Sequence, residues 1–71
     1  MEKEAIKALR LACGESQSQF ASRLGVTANT VARWEQGVIS PGLYYAEKLR
    51  RVRGQVNRHA PANNEMGVED A

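Results

Sequence analysis

Apolar side chains recur along most of the chain at the three- and four-residue spacing of amphipathic helices. The successive stripes are Ala5, Ile6, Leu9, Ala12 and Cys13, then Phe20, Ala21 and Leu24, then Val31 and Trp34, then Ala46, Leu49 and Val52. No segment alternates apolar and polar residues with a period of two. The pattern therefore predicts an all-α protein with helices in residues 2–12, 16–24, 27–36 and from about 40 onward.

Capping residues and glycines mark where these helices begin and end. Ser16 and Gln19 have the spacing of a capping box, in which each side chain bonds the backbone amide of the other residue. Thr27 is a good N-cap for the third helix, and Gly37 stops it. Gly25 separates the second and third helices, where a residue free to adopt positive φ lets the chain turn sharply.

The last third of the chain is predicted to contain one more helix and a tail. Ser40 followed by Pro41 is a cap with proline at the first helical position, so the fourth helix is expected to begin there. Its stripe fades near Gly54. Residues 55–71 lack a sustained period and contain proline, asparagine and glycine, which favours a flexible tail. The predicted organisation is a domain of residues 1–54 and a tail of residues 55–71.

Length and composition restrict the class of protein. A chain of 71 residues forms one small domain, which buries only about 60% of its unfolded surface. The lone Cys13 cannot form an internal disulfide, which fits a reducing compartment. No run approaches the ~18 apolar residues of a membrane helix, and the charged N-terminus is unlike a signal peptide. We expect a cytoplasmic protein without membrane contact.

Charge is divided unevenly along the chain. All ten Lys and Arg residues lie within residues 1–58, together with five of the eight acidic residues, so this part carries a charge of +5. Residues 59–71 carry −3. A basic body with an acidic end favours an anionic partner for the body, although a basic surface that is only solvated is the alternative.

The third predicted helix has one dry side and one hydrogen-bonding side. At about 100° per residue, Trp34 falls about 60° from Val31, and Asn29, Arg33 and Gln36 cluster on the opposite side. Asparagine can bond both the donor and the acceptor of an adenine edge, and arginine can form two bonds to guanine. The other interpretation is an ordinary exposed helix face. Glu35 falls on the inner half of this helix, where a carboxylate needs a cationic partner.

The arrangement around this helix favours DNA binding. Two helices joined by a tight glycine turn need a small residue where they cross, and Ala21 lies four residues before Gly25. Apolar residues on both sides of the turn supply the core contacts. This combination is typical of the helix-turn-helix motif.

The stretch from Ile6 to about Val52 resembles the Cro/repressor (XRE-like) family of phage and bacterial regulators. The matching elements are Ser16-Gln17, Ala21, Leu24-Gly25-Val26-Thr27, Val31, Trp34-Glu35-Gln36-Gly37 and Pro41. The resemblance implies a compact bundle of four or five short helices, with residues 17–24 and 28–36 as the DNA-binding pair. The departures are Ala28, where many relatives carry a longer side chain, and Phe20 in place of the usual leucine.

The resemblance also implies roles for individual residues. The residues implied in DNA binding are Ser16, Gln17, Thr27, Ala28, Asn29, Thr30, Arg33 and Gln36. Gln17 is expected to bond a phosphate and brace the recognition helix. Gln36 and the loop of residues 38–40 are expected to follow the phosphate backbone. Arg10 and Glu35 are expected to form a structural ion pair between the first and third helices.

These observations together predict a sequence-specific DNA-binding transcriptional regulator. We expect a repressor that binds an inverted repeat of double-stranded DNA as a homodimer and can regulate its own operon. Leu43 and Tyr44 lie off the apolar stripe of the fourth helix, so they can form part of the dimer interface, pack under the loop or reach phosphates. One alternative is an antitoxin whose residues 54–71 fold onto a toxin. The other is a protein–protein adaptor that has lost DNA binding.

Other kinds of site find no support in the sequence. One cysteine and one histidine, Cys13 and His59, do not make a set of metal ligands. No serine has a base at a recognisable triad spacing, and no phosphate-binding glycine loop occurs. We therefore expect no enzyme activity, no cofactor and no small-molecule substrate.

Overall fold

Four α-helices make up the regular structure of residues 1–59, the part of the chain that the computed structural model describes. They are α1 (Lys3–Ala12), α2 (Gln17–Leu24), α3 (Ala28–Gln36) and α4 (Leu43–His59). No strand occurs within residues 1–59. The predicted all-α bundle is confirmed.

The first helix packs through a narrower stripe than predicted. Ile6 and Leu9 are buried, and Cys13, directly after the last helical turn, is half-buried against the same core. Ala12 is exposed, because it lies outside the buried face of α1 that carries Ile6 and Leu9. Burial is the largest influence on the Cys13 thiol and raises its pKa, as expected for a cysteine that fills space in a core.

The caps predicted around α2 and α3 are all present. Ser16 Oγ accepts the Gln19 amide at 3.1 Å, and Gln19 Oε1 accepts the Ser16 amide at 2.9 Å, which completes the capping box. Gly25 adopts φ 79°, and the backbone amides of Gly25 and Val26 donate hydrogen bonds to carbonyls in the last turn of α2. Thr27 Oγ1 then accepts a hydrogen bond from the Thr30 amide in the first turn of α3 at 3.2 Å. The turn between α2 and α3 is thus specified locally.

The fourth helix differs from the prediction at both ends. It begins at Leu43, not at Pro41, and its first helical hydrogen bond runs from the Ala46 amide to the Gly42 carbonyl at 2.8 Å. It continues past Gly54 to residue 59, so the end predicted near Gly54 is wrong. Val56 packs against the core, and this contact carries the helix through the glycine. Residues 60–71, which form most of the predicted tail, lie outside the described part.

All four helices contribute to one small core. The buried apolar side chains are Ile6, Leu9, Phe20, Ala21, Leu24, Val31, Trp34, Ala46, Leu49 and Val52. Each large side chain among them contributes about 1.5–3 kcal/mol by leaving water. Ala21 is 2% exposed where α2 and α3 pack together, as a close crossing requires. The core therefore holds α3 by one side and leaves its other side facing solvent.

Candidate nucleic-acid interface

The third helix presents its two faces as the sequence predicts. Val31 and Trp34 are buried, at 0% and 3% exposure. Asn29, Arg33 and Gln36 are exposed along the opposite side. An α-helix with a solvent-facing row of amide and guanidinium groups has the size and the donors needed to enter the DNA major groove.

The first turn of α3 is less free than the sequence suggests. Thr27 and Thr30 bring their hydroxyl oxygens within 3.0 Å of each other, in addition to the amide bond that caps the helix. Thr30 and Ala28 are half-buried. Asn29 lies between them and is exposed. In the first turn of α3, the side chain of Asn29 is therefore the one that is exposed and keeps its hydrogen-bonding groups free.

A partly buried ion pair holds α3 against the rest of the bundle. Arg10 Nε lies 2.7 Å from Glu35 Oε2, and Arg10 Nη2 donates to Glu35 Oε1 at 3.2 Å. The two side chains are only 12% and 6% exposed. These are the residues that the family resemblance pairs. Two parallel bonds between a guanidinium and a carboxylate fix orientation as well as distance.

Gln17 joins this pair from the beginning of α2. Its Nε2 donates to Glu35 Oε1 at 3.1 Å, so Glu35 ties together α1, α2 and α3. Burial alone raises the pKa of Glu35, but the hydrogen bonds from Arg10 and Gln17 and the charges of Arg10 and Lys7 outweigh it. The pKa of the carboxyl is therefore below its ordinary value. The side-chain amide of Gln17 retains a second N–H for another acceptor.

A second pair stabilises the loop that precedes α2. Arg23 donates to both carboxylate oxygens of Glu15, at 2.6 and 3.1 Å. The hydrogen bond from Arg23 holds the pKa of Glu15 below its ordinary value. Arg10 Nη1 also donates to the Glu15 carbonyl at 3.0 Å. The beginning of α2, which carries Ser16 and Gln17, is thus fixed from two directions.

The sequence analysis did not anticipate the contact that joins α4 to the turn of the motif. Lys48 Nζ donates to the Leu24 carbonyl at 3.1 Å, and lies 5.1 and 5.9 Å from the ring centres of Tyr44 and Tyr45. Tyr45 in turn packs against Trp34, with ring centres 5.7 Å apart. A lysine in a basic run gives no sequence signal for this role, because the carbonyl it caps is 24 residues away.

An exposed apolar patch follows α3. Val38 is 64% exposed, Ile39 43%, Leu43 76% and Tyr44 64%. Tyr44 still contacts Tyr45, with ring centres 4.9 Å apart, so the ring is supported from one side. The sequence analysis identified Leu43 and Tyr44 as lying off the core stripe. Val38 and Ile39 are two further exposed apolar side chains, in the loop between α3 and α4.

Neither a metal site nor a membrane span is found in the part of the chain that the structure describes. Within residues 1–59 no cluster of three or more His, Cys, Asp or Glu side chains is placed to hold a metal ion. None of the described helices is long and apolar enough to cross a membrane.

One comparison with known proteins gives a match. A family model described as helix-turn-helix matches residues 6–54, which begin inside α1, include both helices of the candidate interface and end inside α4. No curated protein and no solved structure gives a significant match.

Proposed function

The chain belongs to the XRE-like helix-turn-helix family of DNA-binding transcriptional regulators, and we propose that it represses transcription by binding an inverted-repeat operator as a homodimer. The family is one of regulatory domains and not of enzymes. Occlusion of a promoter is the simplest way in which a DNA-bound helix-turn-helix domain represses transcription. Regulation of its own operon fits the same mechanism.

The exposed polar row on a helix that is buried on its other side carries this proposal. In our assignment α3 enters the major groove, Asn29 bonds an adenine edge, and Arg33 bonds a guanine. Ala28 contributes at most a methyl contact to thymine, because its short side chain is half-buried. The hydrogen bonds from Arg10 and Gln17 to Glu35 support this assignment. Glu35 lies on α3 beside the exposed polar row, so these bonds fix the orientation of α3.

Two regions beside α3 are assigned to the phosphate backbone. At the beginning of α2, free backbone amides and the remaining N–H of Gln17 suit a phosphate oxygen. At the C-terminal end of α3, exposed Gln36 and residues 38–40 are assigned to the same DNA strand or to its neighbour. These contacts fix how α3 sits in the groove, whereas the base contacts supply sequence preference.

We assign self-association to the exposed side chains of Leu43 and Tyr44 at the beginning of α4. Even the largest apolar patch on a typical monomer exposes only about 300–600 Å², which is less than the ~800 Å² per partner of a standard interface. The dimer is therefore weak in solution and completed on DNA. Its two recognition helices would enter the major groove about 34 Å apart.

Selection from a randomised duplex pool tests the proposal. Full-length protein is incubated with the pool at two salt concentrations, and the retained DNA is sequenced. Enrichment of an inverted repeat is expected. Asn29→Ala and Arg33→Ala should each relax the preference at defined positions and cost about 1–3 kcal/mol of binding free energy.

Two other outcomes would contradict the proposal. Retention without sequence preference, lost at the higher salt concentration, would mean that only phosphate contacts exist. A single half-site in place of an inverted repeat would refute the dimer. Arg33→Glu separates the remaining alternatives, because it should abolish DNA binding but leave intact an antitoxin or adaptor interaction made by the C-terminal residues.

A further inference from the structure

The first helix carries a basic stripe on the side that faces α3. Lys3, Lys7 and Arg10 are spaced four and three residues apart, so they lie on one face of α1. This face flanks the buried stripe of Ile6 and Leu9. We call Lys3, Lys7 and Arg10 the α1 basic stripe.

Both ends of the α1 basic stripe lie against the C-terminal half of α3. Arg10 forms the ion pair with Glu35. At the other end the Lys3 side chain covers Gly37, where a Cβ would lie 3.0 Å from Lys3 Cδ and 3.6 Å from its Nζ. Lys7 lies between them on the helix, and its charge acts on Glu35. The stripe therefore runs across the end of the recognition helix.

The positions of Lys3 and Lys7 connect two regions already assigned to DNA phosphates. The Arg10 end reaches Gln17 at the beginning of α2 through Glu35. The Lys3 end reaches the loop that follows Gly37. The two lysines are exposed, and neither takes part in the ion pairs formed by the described residues. Their charges are thus available to an external anion.

We propose that Lys3 and Lys7 bind the DNA phosphate backbone beside α3, so that α1 is a third DNA-contacting element. This inference rests on the proposed function and adds residues that carry no base recognition. Lysine is suited to the role, because its flexible stem lets a point charge follow a phosphate without fixed geometry. Each contact releases counterions from the DNA, which makes binding more sensitive to salt.

Salt titrations of DNA binding test this assignment. Fluorescence anisotropy gives the dissociation constant of wild type, Lys3→Gln, Lys7→Gln and the double variant across a range of salt concentrations. Each variant is measured on the selected operator and on a scrambled duplex. Losing one phosphate contact should make the slope of log K against log [salt] shallower by roughly 0.9, and losing both by roughly twice as much. The affinity should fall by the same factor on both duplexes.

Matched variants separate a contact from a general effect of charge. Arg51→Gln removes one exposed positive charge from α4, which packs mainly against α1 and α2. Its slope should stay at the wild-type value. Lys3→Arg and Lys7→Arg should retain the wild-type slope, because they keep the charge. Thermal unfolding by circular dichroism verifies that every variant is folded under the binding conditions.

The outcomes distinguish this inference from the proposed function. If wild type binds DNA and Lys3→Gln and Lys7→Gln leave the slope unchanged, the inference is overturned and the proposed function stands. In that case Lys3 only complements the dipole at the end of α3. An equal change in Arg51→Gln also overturns it. If wild type shows no binding to either duplex, the proposed function fails as well. Binding without sequence preference but with the expected slope changes supports the inference alone.

Discussion

Replacing Arg10 with methionine would test how strongly the buried network holds α3. The substitution keeps an unbranched apolar stem but removes two hydrogen bonds to Glu35 and one to the Glu15 carbonyl. Glu35, which is 6% exposed, would keep only the bond from Gln17. Removing one partner of a buried pair costs about 3–5 kcal/mol. Because the pair is only partly buried and the bond from Gln17 remains, we expect the lower end of this range, about 3 kcal/mol.

This cost is large relative to the stability of so small a protein. At about 0.05–0.15 kcal/mol per residue, the whole chain has a free energy of unfolding of about 4–10 kcal/mol. Urea unfolding followed by fluorescence measures the loss directly, because Trp34 is the single tryptophan and is buried in the core. An exposed ion pair would contribute only about 0–1 kcal/mol. A measured loss below about 1 kcal/mol would therefore refute the assignment of a buried network.

A double variant separates stability from DNA binding. Arg10→Met combined with Glu35→Leu replaces the ion pair with apolar side chains, so we expect stability within about 1 kcal/mol of wild type. DNA affinity should still fall about three- to tenfold, because Gln17 loses the hydrogen bond that positions it. Full recovery of both stability and affinity would show that the network does not orient the interface.

Three further predictions follow from the geometry. The folded-state pKa of Glu35 is lowered, so the contribution of Glu35 to stability is present above its ordinary pKa of about 4.3 and is lost as pH falls through the lower folded value. Urea unfolding from pH 7 to 3 should show this loss of stability, and Glu35→Gln should make the loss smaller. Gly25→Ala should lower the stability measured by thermal unfolding by about 1–2 kcal/mol, because φ 79° is strained for alanine although no atom lies within 4 Å of the added Cβ. Unchanged stability of this variant would contradict the turn geometry. Lys48→Met should lower the free energy of unfolding by about 1–3 kcal/mol, because it leaves the Leu24 carbonyl without its donor. Lys48→Arg should recover part of this stability. Equal stability of Lys48→Met and wild type would exclude a capping role for Lys48.

The sequence by itself determined the helix-turn-helix unit. The signals at Ser16, Gln19, Gly25 and Thr27 act between residues at most five apart, so they can be recognised without knowing the fold. The spacing of Val31 likewise predicts which side of α3 is buried. The exposed row on α3 follows directly from that prediction. The pairing of Arg10 with Glu35 was available only through the family resemblance, because 25 residues separate them.

Only the tertiary structure decided the features that depend on contacts distant in sequence. The cap signal at Ser40 predicts an earlier beginning for α4 than the structure has, and Gly54 predicts an earlier end. Packing of Val56 on the core extends the helix beyond Gly54. The contacts of Lys48 with Leu24 and of Lys3 with Gly37 also join separate helices. A flexible lysine side chain has no intrinsic preference for such a position. Its place is set by where the packed helices bring a carbonyl or a bare glycine within reach.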